Sequence, residues 1–481
     1  MVTELGQRRR PWLAAFAACN AVSAWGGAVG LVTGGIDFGA ATNQRLPFGS
    51  VVLAGLALAA IVALPLSVLT WVSWTGSPRT ASVSLLVGMM LVGWIVLQVV
   101  VLWAYSIFQP IYLGIGASFI AASHRVELRP TRRGLLLVTV GGFVIAVGVG
   151  LLPHPIKDGL TAMSVVAIVF LLAGLAGVVE GARSATRGIG APGKVAGGAA
   201  TTIWIVAVVS IVAPGVAATN APPAHVTSTP AAVGLEYESV TLTTTDGLDL
   251  AAWFVRGTNG AGLVVMHGAG STRSDVLDES AALAGAGYSV LLVDARGHGD
   301  SEGTAMEFGW YGDLDIAAGT AFLASRPEVD ADRIGVVGFS MGGEEAIGAA
   351  AVDPRIHAVV AEGATGRQAD DKVWLSAAFG WRGRLQLRLE RLQDIVTDFL
   401  AVAAAPTPLR SAVASAVGTR FLMITAGDVP DEGRAAAYVR SGAPDRVAVW
   451  TVDGAGHIGG LEARPTEWRA HVMAFLDAVL A

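Results

Sequence analysis

Cysteine and charge are the two things that this sequence has little of. Its single cysteine, Cys19, cannot form a disulfide within one chain, so cysteine usage carries no information about the redox compartment. No cysteine and histidine residues stand at the spacing of metal ligands, and we expect neither a metal nor another cofactor. The net charge is −6 and no basic patch alternates with aromatic residues, which argues against nucleic acid as a partner.

Charged residues make up only 15% of the chain, whereas hydrophobic residues make up 53%. An average soluble protein is about a quarter charged. The scarcity is local, because residues 135–180 contain only Lys157, Asp158 and Glu180, whereas residues 270–335 are densely charged. A chain of 481 residues is also too long for one typical domain. We therefore expect a membrane domain followed by a water-soluble domain.

Long apolar segments fill residues 1–217. About 20 apolar residues are needed to cross the hydrocarbon core of a bilayer. Seven segments approach or exceed this length: 12–34, 49–72, 83–105, 107–122, 135–152, 160–180 and 199–217. Only Gln109 and Pro110 interrupt the third and fourth, and a tight turn is predicted there. The first is interpreted as an uncleaved anchor because six more follow it. The sequence thus predicts an all-α membrane domain of about seven helices.

Lysine and arginine are unevenly distributed among the loops of this domain. With the N-terminus inside, only Arg45 and Lys157 fall on outside segments. Eleven fall on inside segments: Arg8, Arg9, Arg10, Arg79, Arg125, Arg129, Arg132, Arg133, Arg183, Arg187 and Lys194. By the positive-inside rule, seven spans place the rest of the chain outside the cytoplasm. Ionisable residues are nearly absent from the spans, which favours an anchor or packing module over a lipid, partner or regulatory site.

The composition changes after residue 217. Residues 218–235 are rich in Ala, Pro, Thr and Ser, which is typical of an extended linker. Short strands then alternate with helices over 236–481, which predicts a mostly parallel sheet. Eight strands are predicted, at 236–244, 249–256, 262–266, 288–293, 334–338, 356–361, 421–425 and 447–452. The first two are expected to form an antiparallel hairpin, and an insertion at 366–418 precedes the seventh.

The stretch 338–342, Gly-Phe-Ser-Met-Gly, fits the pattern G-x-S-x-G. It follows an apolar strand and opens a predicted helix, which is the context that gives this pattern its meaning. Small residues allow the sharp turn to pack closely. The turn holds the Ser340 hydroxyl at a helix N-terminus, whose dipole favours developing negative charge. Ser340 is therefore the candidate nucleophile.

Two further loops supply candidate partners for Ser340. Residues 266–270, Met-His-Gly-Ala-Gly, end an earlier strand, and the N–H groups of Ala269 and Met341 are predicted to form an oxyanion hole. His457 follows the last predicted strand and is preceded by Gly456, which suits an exposed and positioned imidazole. We predict that His457 is the general base.

The carboxylate that orients the base is expected after the strand at 421–425. Three acids lie there: Asp428, Asp431 and Glu432. Asp428 is nearest to the strand end, whereas Asp431 and Glu432 lie at the next helix start, where a carboxylate is also favourable for the helix itself. The choice stays open, with Glu432 and Asp431 ranked above Asp428. Asp294 and Glu362, which also follow strands, are lesser candidates.

Four stretches in this order resemble the α/β-hydrolase superfamily, specifically its dienelactone-hydrolase and prolyl-oligopeptidase-like branch. They are His-Gly-Ala-Gly at 267–270, Asp-Ala-Arg-Gly-His-Gly-Asp-Ser at 294–301, Gly-Phe-Ser-Met-Gly-Gly at 338–343 and Gly-His at 456–457. The resemblance covers residues 236–481. It departs at the acid loop, because the family usually has Gly-x-x-Asp, whereas Pro430 stands three residues after Gly427.

The resemblance implies a serine hydrolase that cleaves an ester, thioester or amide through an acyl-enzyme. Its substrate would be a small-molecule or lipid-like acyl compound. Two alternatives remain: an inactive hydrolase-like domain that binds a partner at the membrane, and an acyltransferase that uses the same triad.

The resemblance also implies that the insertion at 366–418 forms a cap over the active site. Residues 382–400 have apolar residues near helical spacing, at Leu385, Leu389, Leu392, Val396 and Phe399, with arginines between them. The stripe is interpreted either as packing on the domain or as the underside of a lid that faces an acyl substrate or the membrane.

Overall fold

The computed structural model describes residues 9–36, 46, 50–102, 108–123, 130–303, 307–401 and 403–481. The chain divides into two units, Met1–Val216 and Ala217–Ala481. The first unit is helical in its described residues, and the second contains one sheet with helices on both faces.

The helices of the first unit are apolar around most of their circumference. They are α1 (Pro11–Val32), α2 (Val51–Thr75), α3 (Thr80–Leu102), α4 (Phe108–Ala122), α5 (Pro130–Gly150), α6 (Pro153–Lys157), α7 (Ala162–Ala185) and α8 (Ala191–Thr219). Among the described residues, six helices are long and apolar enough to cross a membrane. They correspond to α1, α2, α3, α5 with α6, α7 and α8.

The fourth predicted span differs from the expectation in length. Helix α4 has 15 residues, which at 1.5 Å per residue reach about 22 Å, short of a hydrocarbon core of about 30 Å. The tight turn predicted at Gln109–Pro110 is wrong, because both residues lie in the first turn of α4. Pro110 is tolerated there, since the N–H that it lacks would have no helical partner. Residues 103–107, between α3 and α4, lie outside the described residues.

Glycines allow α5 and α7 to approach closely. A Cβ added at Gly181 would lie 2.8 Å from the carbonyl oxygen of Gly134, and one at Gly174 would lie 2.8 Å from that of Gly141. The glycines of each pair recur every seven residues along their helix, so the two backbones are in contact over two turns. Small residues serve this purpose in membranes, where packing rather than the hydrophobic effect holds helices together.

The second unit contains an eight-stranded sheet. Its strands are β1 (Glu238–Thr243), β2 (Asp249–Val255), β3 (Gly262–Met266), β4 (Ser289–Val293), β5 (Ile334–Phe339), β6 (Ile356–Glu362), β7 (Arg420–Ala426) and β8 (Val447–Val452). They are arranged in the order β1-β2-β4-β3-β5-β6-β7-β8. The sheet is mixed rather than mostly parallel as predicted, because β2 pairs antiparallel with both β1 and β4. The remaining neighbours from β4 to β8 pair in parallel.

Apolar side chains on the two faces of the sheet form two cores. Strands β3 to β7 are almost completely buried, which explains their near-continuous apolar sequences. One core includes residues of α10 (Gly312–Ala324), α11 (Met341–Ala350), α13 (Leu409–Ser415) and α14 (Pro430–Arg440). The other includes residues of α9 (Leu277–Gly285), α15 (Gly460–Ala463) and α16 (Pro465–Leu480).

The insertion between β6 and β7 is helical. Its main element is α12 (Trp374–Leu400), which has a kink at Gly380 and is followed by α13. Of the predicted apolar stripe, Leu385, Leu392 and Phe399 are exposed and Leu389 and Val396 are half-buried, so the stripe as a whole does not pack on the domain. The helix instead packs through Gly383, Leu387, Thr397 and Leu400.

The segment predicted as a linker lies along the second unit. Residues 230–233 form a 3-10 turn, and Val226, Val233 and Leu235 pack against the core that includes α16. The N–H of Gly299 donates to the carbonyl of Ala224.

Candidate active site

Ser340 lies in a strained turn between β5 and α11. Its backbone has φ 53° and ψ −117°, a conformation that non-glycine residues rarely adopt. The flanking glycines make this turn possible. A Cβ at Gly338 would lie 2.1 Å from the carbonyl oxygen of Gly342, and one at Gly342 would lie 2.6 Å from that of His267. The Ser340 N–H donates to the carbonyl of Glu362 on the neighbouring strand at 2.7 Å, which fixes the turn to the sheet.

Two hydrogen bonds connect Ser340, His457 and Glu432. The Ser340 Oγ lies 2.9 Å from Nε2 of His457, and Nδ1 of His457 lies 2.6 Å from Oε1 of Glu432. A carboxylate accepts hydrogen bonds, so Nδ1 donates to Glu432 and Nε2 accepts from the serine hydroxyl. The three residues follow β5, β8 and β7, whose parallel alignment brings their carboxyl ends to one edge of the sheet.

Of the three acids at the predicted acid loop, the structure brings Glu432 to the histidine. Glu432 is 1% exposed, and its Oε2 accepts from the N–H of Ala426 at 2.8 Å, which fixes the carboxylate. Asp431 forms an exposed ion pair with Arg434 at 2.6 Å instead. Asp428 is exposed to solvent. Glu432 lies in the first turn of α14, and its longer side chain reaches back to the strand end.

The hydrogen bond that His457 donates to Glu432 raises the pKa of His457, and burial of the ring opposes this only in part. The neighbouring carboxylates of Glu432, Glu344 and Glu362 act in the same direction, because each favours the protonated ring. A histidine with a raised pKa is a stronger proton acceptor.

The loop after β3 lies beside the serine. A Cβ at Gly268 would lie 3.3 Å from the Cβ of Ser340. Ala269 follows Gly268 in this loop, and Met341 is the first residue of α11. His267 is fully buried, and its Nε2 accepts from the N–H of Ala295 at 3.1 Å. Burial lowers the pKa of His267 to about 3, so it stays neutral.

His298 holds the same loop from the other side. Its Nε2 accepts from the N–H of Gly270 at 3.2 Å, next to the predicted oxyanion donor Ala269. The buried imidazoles of His267 and His298 thus hold the loop through hydrogen bonds to its backbone.

Two buried glutamates position the loops around the site, and sequence reasoning gave neither this role. Glu362, considered above as a lesser acid candidate, accepts from the N–H of Gly460 and from Nε1 of Trp468, both at 2.8 Å. It thereby holds the loop that follows His457. Glu344 accepts from the N–H groups of Thr365 and Gly366, at 2.9 and 2.8 Å, and holds the loop after β6. The only signal in the sequence was that Glu362 stands at a strand end, directly before Gly363.

A groove of about 1210 Å³ begins at the residue after His457. Its apolar lining includes Ile458, Leu461 and Met473, and Asp278 and Glu279 lie on its acidic side. Burial raises the pKa of Glu279 to about 7, which lowers the negative charge of the groove near neutral pH. The groove therefore offers a mixed apolar and acidic surface, and its lining includes neither Ser340 nor His457.

Part of the second unit matches known hydrolases. Residues 258–404 match the family described as serine aminopeptidase, S33. A segment of 118 residues is 35% identical to an uncharacterized protein of Mycobacterium tuberculosis, covering 24% of this chain and 41% of that protein. A segment of 128 residues is 35% identical to the thiohydrolase aneE of Aspergillus aculeatus, covering 26% of this chain and 40% of that protein. This chain thus spans about two fifths of the length of these curated relatives.

One solved structure is similar to part of this chain. An esterase of Pyrococcus furiosus aligns with 25% identity over 55% of this chain and 100% of the esterase, with a TM-score of 0.42. The strand order and the strand–turn–helix at Ser340 give the second unit the fold of an α/β hydrolase, and residues 258–404 within it match a hydrolase family. The chain thus joins a unit with an α/β-hydrolase fold to a helical unit whose described residues include six apolar helices of membrane-spanning length.

Proposed function

We propose that this protein is a membrane-anchored serine hydrolase that cleaves an ester, thioester or amide bond of an acyl compound. The observation that carries the proposal is the pair of hydrogen bonds that joins Ser340 to His457 and His457 to Glu432. A thioester is included because one relative is a thiohydrolase. The apolar helices anchor the hydrolase unit to a membrane, on the side outside the cytoplasm.

In the proposed mechanism, His457 removes the proton of Ser340 as the oxygen attacks the acyl carbon. Glu432 holds the imidazole in the correct tautomer and stabilises the imidazolium that forms. The N–H groups of Ala269 and Met341 bind the oxyanion, which is worth about 10²–10³ in rate for each such donor. His457 then protonates the leaving group, and a water molecule activated by the same ring releases the acid.

The geometry favours an enzyme over an inactive binding module. An inactive domain has no need for strain at the serine, yet Ser340 keeps φ 53°. It also has no need for a buried carboxylate behind the histidine, yet Glu432 is 1% exposed. Both features cost folding free energy, and both serve nucleophilic catalysis.

Labelling with a fluorophosphonate probe tests the proposal. Full-length protein in membranes should be labelled covalently, because the probe reacts only with an activated serine, and Ser340→Ala should lose all labelling. A Ser301→Ala variant is the matched control, since the Ser301 hydroxyl donates to the carbonyl of Asp294 and lies outside the proposed triad. Folded wild-type protein that stays unlabelled, or a Ser340→Ala variant that is still labelled, would sink the assignment.

A further inference from the structure

Helix α12 presents an exposed apolar stripe on the surface of the hydrolase unit. The exposed fractions are 67% for Trp381, 60% for Leu385, 45% for Leu392, 64% for Ile395 and 71% for Phe399. Steps of four, seven, three and four residues place these five side chains along one face of the helix. Contiguous apolar surface of this kind marks a place where a protein meets a partner or a membrane.

The same face is positively charged. Arg382, Arg384 and Arg388 are exposed between the apolar residues, and Arg391 forms only an exposed ion pair with Asp370 at 3.2 Å. Such an exposed pair is worth little. Asp398 is the one acidic residue on the exposed side of α12, since the other acids of the helix are turned inward as described below.

The inner face of α12 is fixed to the domain by polar contacts. Glu390 pairs with Lys372 at 2.8 Å, and Asp394 accepts from the N–H of Ala369 at 2.7 Å. At the base of the insertion, the carboxylate of Asp371 accepts from the N–H groups of Arg367 and Leu409, at 3.0 and 2.5 Å. These contacts hold the stripe facing outward, so it does not serve as the underside of a lid on its own domain.

The amino-acid composition of the exposed face of α12 indicates what the face contacts. Tryptophan, phenylalanine and leucine beside arginines are the composition of helices that lie in the interface of a bilayer, where apolar side chains enter the acyl region and arginines bind anionic headgroups. The chain itself would keep the unit close to such a surface, because six apolar helices of spanning length lie in the part of the chain that the structure describes. A second copy of the face is a poorer partner, because its arginines would repel.

We propose that the outer face of α12 lies in the headgroup region of the bilayer that anchors this chain, with the stripe from Trp381 to Phe399 inserted and the arginines on anionic lipid. The contact places the catalytic end of the domain near lipid. Phe379, at the start of α12, lies against the Arg434 guanidinium at 5.4 Å, and Arg434 is two residues from Glu432 in α14. Where the proposed hydrolase function also holds, acyl chains borne by lipids are the substrate class that reaches the site.

Fluorescence of single labelled positions tests the contact without using activity. In full-length protein with Cys19→Ser, an environment-sensitive fluorophore is attached at Leu385→Cys or at Phe399→Cys. The matched control is Val417→Cys, which replaces an apolar residue with 79% exposure outside α12. The protein is placed in nanodiscs that contain anionic lipid and lipid-borne nitroxide quenchers.

We expect lipid-borne quenching at Leu385→Cys and Phe399→Cys to exceed that at Val417→Cys by roughly twofold or more, with protection from aqueous iodide. Reversing the charge with Arg384→Glu and Arg388→Glu should lower this quenching. Iodide access equal to that of the control would overturn the proposal. Protection that appears only in discs with two copies would also overturn it, in favour of self-association. Neither result depends on whether Ser340 reacts with the fluorophosphonate probe.

Discussion

Ser340, His457 and Glu432 each depend on a second residue that holds them in place. The turn at Ser340 depends on Gly338 and Gly342, where any Cβ would collide with backbone. His457 packs against Gly363, whose added Cβ would lie 2.8 Å from the ring. These supports leave the hydroxyl and the imidazole with little freedom, which is the preorganisation that nucleophilic catalysis requires.

Replacing Glu432 by glutamine is expected to slow the reaction and to move its pH profile. The hydrogen bond to Glu432 is the largest cause of the raised pKa of His457. Wild-type activity is lost as the pH falls through that raised pKa, because the protonated ring accepts no proton. In Glu432→Gln the pKa of His457 falls, so the acidic limb moves to lower pH. The rate at the plateau falls by about 10²–10⁴ because the tautomer is no longer fixed.

The measurement is the rate of fluorophosphonate labelling, or of p-nitrophenyl ester hydrolysis, between pH 5 and 9. Asp431→Asn and Asp428→Asn are matched controls that remove the other acids of the same loop, and both should keep the wild-type profile. A profile that shifts with Asp431→Asn rather than with Glu432→Gln would refute the assignment of Glu432.

At the residue scale, the sequence singled out Ser340 and His457, which the structure brings within hydrogen-bonding distance, but left the acid open. The patterns around the serine and the histidine are local, so a strand, a turn and adjacent glycines were enough to single them out. The choice among Asp428, Asp431 and Glu432 depends on where α14 begins and how far each side chain reaches, and these are tertiary quantities. Glu362 resembled an acid candidate for the same reason, although its carboxylate is occupied by Gly460 and Trp468.

Individual helices and strands follow their sequence patterns closely where those patterns are strong. All eight predicted strands are present within about two residues at each end. The mixed character of the sheet was underestimated, because the placement of β4 next to β2 depends on where the chain crosses over, and strand composition does not encode it. For α12 the helix and its amphipathic pattern could be predicted from the sequence, but not which apolar residues face the domain.

The contact between α5 and α7 gives a prediction for one element. In Gly181→Ala, the new Cβ would lie 2.8 Å from the carbonyl oxygen of Gly134 and from the N–H nitrogen of Val138, so the helices must separate. Overpacking of this kind costs about 1–3 kcal/mol of unfolding free energy. Thermal unfolding of the purified full-length protein in detergent should therefore shift to lower temperature by several degrees, roughly 2–4 °C for each kcal/mol.

Gly177→Ala is the matched control on the same helix. Its nearest contact would be 3.6 Å, an ordinary van der Waals distance. Alanine also favours a helix over glycine, so Gly177→Ala should leave the unfolding temperature unchanged or raise it slightly. Equal losses in both variants would show that the close approach of α5 and α7 is not what limits the stability of the helical unit.

For the whole molecule, the predicted side of the membrane for the hydrolase unit depends on whether α4 crosses. The Arg10 guanidinium donates to the carbonyl of Ala122 at 3.4 Å, so the end of α4 lies level with the start of α1. Ser23 and Tyr112 share a hydrogen bond of 2.9 Å about halfway along α1, so the two helices run antiparallel. Although α4 is short, this antiparallel arrangement is the one expected of a helix that returns the chain to the side of the N-terminus.

We therefore predict that seven segments cross and that the hydrolase unit lies opposite to the N-terminus. The distribution of basic residues agrees with this prediction. If α4 crosses, eleven of the lysine and arginine residues counted above lie on the N-terminal side of the membrane and two lie on the other side. In a Cys19→Ser background, Val417→Cys should react with a membrane-impermeant maleimide on intact cells. Pro78→Cys, in the exposed loop between α2 and α3, should react only after permeabilisation. If both positions need permeabilisation, α4 does not cross, because an even number of crossings would leave the hydrolase unit on the same side as the N-terminus.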